Sequence, residues 1–154
     1  MTTVRIALAN IRYPESPDES IVLARRAIAQ ASHERATVLC FPECFVPGYR
    51  FPDKPVPPPN EAFLERAWRE IAAAAKSVDV GRGVIIATDM FGGTPCNLAL
   101  TLLERGKIEV LAGANLPSLI KLIDIRNKVP LDQAVKDAIE AGRKYMRAGS
   151  ADLG

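Results

Sequence analysis

Val84-Ile85-Ile86-Ala87-Thr88-Asp89-Met90-Phe91-Gly92-Gly93-Thr94-Pro95-Cys96-Asn97 decides the fold: an apolar run ends in an aspartate, then turns through a glycine pair into a helix. Continuous rather than alternating hydrophobicity predicts a strand buried on both faces of a parallel sheet. Pro95 suits the first turn of a helix that opens at Thr94, with Thr94 as its cap, and stops near Gly106. Two glycines let the backbone approach an anion closely, and a helix N-terminus points free N–H groups at it. Gly92, Gly93 and Thr94 are therefore candidate anion-binding residues, with Arg12 as a cationic aid. Asp89 is the carboxylate at the strand end.

Outward from this stretch the same alternation recurs. Residues 4–9, 37–41 and 108–112 are further apolar runs, and helical patterns separate them. Ile21, Ala24, Ile28 and Ala31 form one helical stripe. A second helix follows the cap residue Asn60, with Leu64, Ala67, Trp68, Ile71 and Ala75 inward. Its outer face carries Glu65–Arg69 and Arg66–Glu70 at i,i+4 spacing. A fourth helix begins near residues 115–117 and fades at 127–128. The last follows Pro130, with Leu131, Val135, Ala138, Gly142 and Tyr145 inward and Asp132–Lys136 and Glu140–Lys144 outward. The pattern predicts a single α/β domain over residues 1–154, a doubly wound, flavodoxin-like three-layer sandwich. Its mainly parallel sheet has the order 2-1-3-4. Residues 51–59 read as a Pro-rich loop over the sheet's carboxyl edge, and 148–154 as a frayed tail.

Composition bounds the function. A chain of 154 residues, 48% hydrophobic and 25% charged, is large enough for a real core. A net charge of +2 with interleaved signs excludes a dedicated nucleic-acid or membrane surface. Three cysteines without metal spacing predict neither a disulfide framework nor a metal site, and no cofactor motif appears. With no signal peptide or membrane-length apolar run, the expected setting is cytoplasmic.

A second constellation lies at the end of the second apolar run: Phe41-Pro42-Glu43-Cys44, followed by Pro47-Gly48-Tyr49. Together with Arg5-Ile6-Ala7-Leu8-Ala9-Asn10 and the helix over residues 63–75, it resembles the opening of the nitrilase (carbon–nitrogen hydrolase) superfamily. The resemblance implies that Glu43 is a general base for a cysteine nucleophile, with a lysine stabilising the oxyanion. The lysine and cysteine segments of such enzymes are absent. Cys96 does not replace the nucleophile, because the two strand ends should stand about 10 Å apart at ~4.8 Å per strand. Cys40 reads as a buried small hydrophobe and Cys44 as a loop thiol.

Residues 83–146 resemble instead the IIA component of the mannose-family sugar phosphotransferase system. Besides the glycine loop, the resemblance rests on Glu109-Val110-Leu111-Ala112-Gly113-Ala114-Asn115-Leu116-Pro117 and on Ala141-Gly142-Arg143. It implies a phosphocarrier in which a histidine of the first strand–helix loop accepts a phosphoryl group. An aspartate matching Asp89 would orient that imidazole, and the glycine loop would receive the phosphate. Residues 10–16, the loop in question, contain no histidine, and Ser16 and Tyr13 lack an evident base. His33, the chain's single histidine, falls roughly 120° off its helix's apolar stripe at ~100° per residue.

Both resemblances leave a site incomplete. The expectation at this point is an engineered chimera without catalytic activity: a nitrilase-like fragment (1–76), a junction (77–82) and a IIA-like fragment (83–147), with Glu43 and Asp89 vestigial. The alternatives are a phosphocarrier or C–N hydrolase with a remodelled site, and an oligomerising binding module. A homodimer, and phosphate or sulfate in the crevice between strands 1 and 3, are the partners expected.

Overall fold

The computed structural model describes residues 5–42, 44–48 and 60–148. Glu43, Tyr49, the Pro-rich stretch 51–59, Val4 and the tail from residue 149 lie outside the described residues. The chain divides into two compact units, Met1–Val78 and Asp79–Gly154.

The first unit runs β1 (Ile6–Leu8), α1 (Pro17–His33), β2 (Val38–Cys40), α2 (Glu61–Ser77). β1 and β2 pair in parallel, Ile6 opposite Val38 and Leu8 opposite Cys40. α1 starts where Ser16 accepts a hydrogen bond from the Glu19 amide, with Pro17 in the first turn and Asp18 and Glu19 favourably placed at the positive end of the helix. Asn60 caps α2 as its spacing predicts, its Oδ1 accepting from the Phe63 amide at 2.8 Å. The side chains that α1 and α2 bury are small: Ser20, Ala24 and Ala31 beside Ile21, and Ala67 and Ala72. Ile28, expected on the inner stripe, is only half-buried.

Charges then tie α1 to α2. Glu65–Arg69 forms along α2 at 3.0 Å, as its spacing predicts. Arg66–Glu70 is displaced: Arg66 pairs with Asp18, and Glu70 takes Arg25 at 2.8 Å. A facing helix offered each residue a cross-helix partner, which spacing along one helix cannot reveal.

The second unit runs β3 (Val84–Thr88), α3 (Thr94–Leu100), β4 (Ile108–Ala112), α4 (Leu116–Ile125), α5 (Leu131–Lys144). β3 and β4 pair in parallel over their full length, Val84 opposite Ile108 and Thr88 opposite Ala112. Its core includes an apolar cluster of Leu111, Leu122, Ile125, Ala134, Val135 and Ala138, with Ile85, Val129 and Ile139 packed against it. The entry to β3 is organised by Asp79, whose Oδ1 accepts from the amides of Gly81, Arg82 and Gly83. Gly83 has φ +78, and a Cβ there would stand 2.8 Å from Leu131 Cδ2 and 3.1 Å from the Lys107 carbonyl oxygen. Both conformation and space demand glycine.

Three further details depart from the sequence pattern. α3 ends at Leu100, short of Gly106, because the chain turns over Thr101–Leu102 and Glu104 bridges Ile108. Tyr145, expected inward, is the C-cap of α5 and is exposed. Ile6 and Leu8 are exposed too, so β1 is not buried on both faces.

The class is thus mixed α/β with parallel strands. The order 2-1-3-4 is not confirmed: the strands form two two-stranded sheets, β1–β2 and β3–β4. Among the described residues no helix is long and apolar enough to cross a membrane.

Candidate functional site

The β3–α3 loop is built by the physics that the sequence advertises, with one correction. Thr88 closes β3, its carbonyl accepting from the Ala114 amide at 2.9 Å, which ties the loop's root to the segment after β4. Asp89 follows, exposed, its Oδ1 accepting from the Met90 amide at 2.8 Å. Gly92 adopts φ 82, the left-handed region that favours glycine, and open space surrounds the position a Cβ would take. Its carbonyl accepts from Asn97 Nδ2 at 3.1 Å, closing the loop against the first turn of α3.

The correction concerns the cap. Gly93, not Thr94, is the N-cap of α3, and it makes no side-chain capping bond. Thr94 is the first helical residue, and Pro95 after it has no N–H to offer. The amides at the mouth of this helix therefore meet no side-chain acceptor at the cap. α3 spans seven residues, so its macrodipole is short. Cys96 is fully buried, which removes it as a surface nucleophile.

Arg12 belongs to the first unit, and its guanidinium is engaged there. It forms a two-pronged pair with Glu19, with Glu15 at 3.7 Å. The hydrogen bond from Arg12 holds the Glu19 carboxyl below the usual carboxylate range, helped by the Glu15 amide. The same bond raises Arg12 above its ordinary value. Arg12 thus braces the start of α1.

The other expected groups fall elsewhere. His33, at the last turn of α1, is exposed, with Nδ1 3.5 Å from the Glu34 carboxylate. Cys40 is exposed at the end of β2 and not buried, and Cys44 is exposed as well. Among the described residues no group of three His, Cys, Asp or Glu side chains could hold a metal ion. One group escaped the sequence analysis. The Thr88 hydroxyl is buried and has no hydrogen-bond partner among the described residues. A threonine directly before the strand-end aspartate was the available signal.

Comparison with known proteins follows the same segment. A family profile described as "PTS system fructose IIA component" matches residues 56–139, more than half of the chain. The mannose-specific EIIAB component of Escherichia coli K12 is 32% identical over 90 residues, 57% of this chain and 27% of that protein. The fructose-specific EIIA component of Bacillus subtilis is 34% identical over 59 residues, 38% of this chain and 40% of that protein. The chain thus matches about a quarter to two fifths of the length of these curated relatives. In fold it is similar to the crystal structure of phosphotransferase system component EIIA from Streptococcus agalactiae. The TM-score is 0.50 and the identity 20%, over 97% of this chain and 99% of that one.

These likenesses overturn the expectation of an engineered chimera without function. The profile begins at residue 56, so it takes in residues 56–76 as well as everything to 139, and the fold likeness extends across nearly the whole chain. The nitrilase-like reading of residues 1–76 gains no support from them, and its base, Glu43, lies outside the described residues. The error came from weighing one absent histidine above a whole matching segment.

Proposed function

We infer a function from the premise that this chain belongs to the mannose/fructose family of phosphotransferase-system EIIA domains: it is a phosphocarrier component that handles a phosphoryl group at the β3–α3 loop. The observation that carries this is the loop's construction within the matched segment. An exposed carboxylate, Asp89, stands beside a backbone opened by Gly92 and capped by a residue without a side chain. Charge-assisted hydrogen bonds from backbone amides to phosphoryl oxygens are the interaction such a loop supplies. The role is that of a carrier loaded and unloaded once per transfer, on the cytoplasmic side.

The site is remodelled relative to the pattern that the family resemblance implies. Residues 10–16 offer no imidazole, so a phosphoryl group taken up covalently rests on another residue. Two acceptors compete: a phosphoramidate on His33, the chain's single histidine and a residue of α1, or an acyl phosphate on Asp89, in the loop itself. Incubation with a labelled, phosphorylated upstream phosphocarrier protein separates them. Label lost in His33→Ala identifies the first and overturns the assignment to the loop. Label lost in Asp89→Asn, and released by hydroxylamine, identifies the second. A chain that takes no label under these conditions overturns the assignment.

The finer topology, a doubly wound flavodoxin-like sheet of order 2-1-3-4, goes with this proposal and is supported by the fold likeness over 97% of the chain. A homodimer, and inorganic phosphate or sulfate at the loop, are further parts of it. Light scattering and a phosphate titration followed by thermal denaturation check them; a monomer, or an unmoved midpoint, removes that part.

A further inference from the structure

Thr88 is the last residue of β3 and is 8% exposed. Its Oγ1 is shielded from solvent and finds no hydrogen-bond partner among the described residues. Burying a hydroxyl without a partner costs free energy, and a valine would fill the same space without that cost. The backbone work of this position is done by its carbonyl, bound to the Ala114 amide, and by its pairing register with Ala112. Its place in the chain is what gives the hydroxyl a use: it directly precedes Asp89, at the root of the loop that the proposed function assigns to a phosphoryl group. Asp89 itself spends one carboxylate oxygen on the Met90 amide.

We propose that the Thr88 hydroxyl is a further hydrogen-bond donor of this site, held without an acceptor among the described residues until a phosphoryl oxygen at the loop provides one. No covalent bond to Thr88 forms. The hydroxyl donates its proton to a hydrogen bond with an oxygen that is already anionic, and nothing is transferred to it. The cost of the unpaired group is borne by the empty protein and relieved in the loaded one. That difference favours loading, because only an interaction stronger in the occupied state shifts the equilibrium toward it.

This inference rests on the loop being the phosphoryl site, and the test separates the two. Thr88→Val and Thr88→Ser are compared with the wild-type chain for rate of label uptake from the phosphorylated donor and for urea midpoint. The expected result is a split. Thr88→Val loses about tenfold or more in uptake, the size of a hydrogen bond to a charged oxygen, while its midpoint stays level or rises. Thr88→Ser, which keeps the hydroxyl, recovers most of the uptake. Uptake by Thr88→Val equal to the wild type overturns the inference and leaves the phosphocarrier assignment standing. A fall in both uptake and midpoint marks the hydroxyl as structural, paired to a buried water, and also overturns it. A wild-type chain that takes no label removes the premise and the inference with it.

Discussion

The two units hold themselves together differently. In Asp79–Gly154 the helices α4 and α5 close on β4 through branched apolar side chains, and Leu111, Leu122, Ile125 and Val135 meet in one cluster. In Met1–Val78 the facing helices bury one branched side chain, Ile21, with alanines and a serine, and their contact is edged by Arg25–Glu70 and Arg66–Asp18. Branched side chains remove far more apolar area from water than alanines do, and exposed ion pairs contribute little. The second unit should therefore be the more stable, and it is the one that carries the glycine loop. A site that must keep backbone amides fixed gains from standing on the stiffer platform.

The sharpest way to break this contrast is to open the apolar cluster. Leu111→Ala, at a position only 2% exposed, should cost about 2–5 kcal/mol in urea denaturation. A loss below about 1 kcal/mol would mean that the cluster is not what holds the unit. Gly83→Ala comes next, since φ +78 and the Lys107 carbonyl both oppose a Cβ; about 1–3 kcal/mol is expected by the same measurement. Asn115→Ala removes the α4 capping box and the bond from Nδ2 to the Gly142 carbonyl, for about 1 kcal/mol or somewhat more.

Changes in the first unit should be smaller. Glu70→Gln breaks the pair with Arg25, which is more than half exposed, and should cost less than about 1 kcal/mol, with the difference shrinking in high salt. The pH dependence is the smallest effect and has a definite sign. Because the folded protein depresses the Glu19 carboxyl, the Arg12–Glu19 pair stabilises it above the ordinary carboxylate range. That contribution is lost as pH falls through the depressed value. Glu19→Gln should flatten this acid limb of a stability profile and leave its neutral portion nearly parallel to the wild type.

How much of this the sequence carried differs between the units as well. Over Val84–Thr88, Ile108–Ala112, Leu116–Ile125 and Leu131–Lys144, local signals agree with the folded outcome, because proline, asparagine and apolar spacing all act within a few residues. Arg66 and Glu70 show where such signals stop. Their spacing was right for each other, but α1 supplied better partners 48 and 45 residues away. The cap of α3 moved by one residue because Gly93 can take the extended cap conformation while Thr94 enters the helix. The family was legible in the segment from the glycine loop onward and obscured by the missing histidine of residues 10–16, since one residue's absence says less than a long segment's agreement. The position of Thr88 before Asp89 could be read, but not that its hydroxyl lacks a partner among the described residues, which is a property of packing.

The central claim is that a phosphoryl group is handled at the loop after β3. The most direct measurement is backbone amide NMR of the labelled chain as a phosphorylated upstream donor is added. The largest shifts should fall on Gly92, Gly93 and Thr94 and be reduced in Asp89→Asn, with the α1–α2 contact around Arg25 and Glu70 unmoved. Shifts concentrated around that ion pair, or no shifts anywhere in residues 89–97, would contradict the claim.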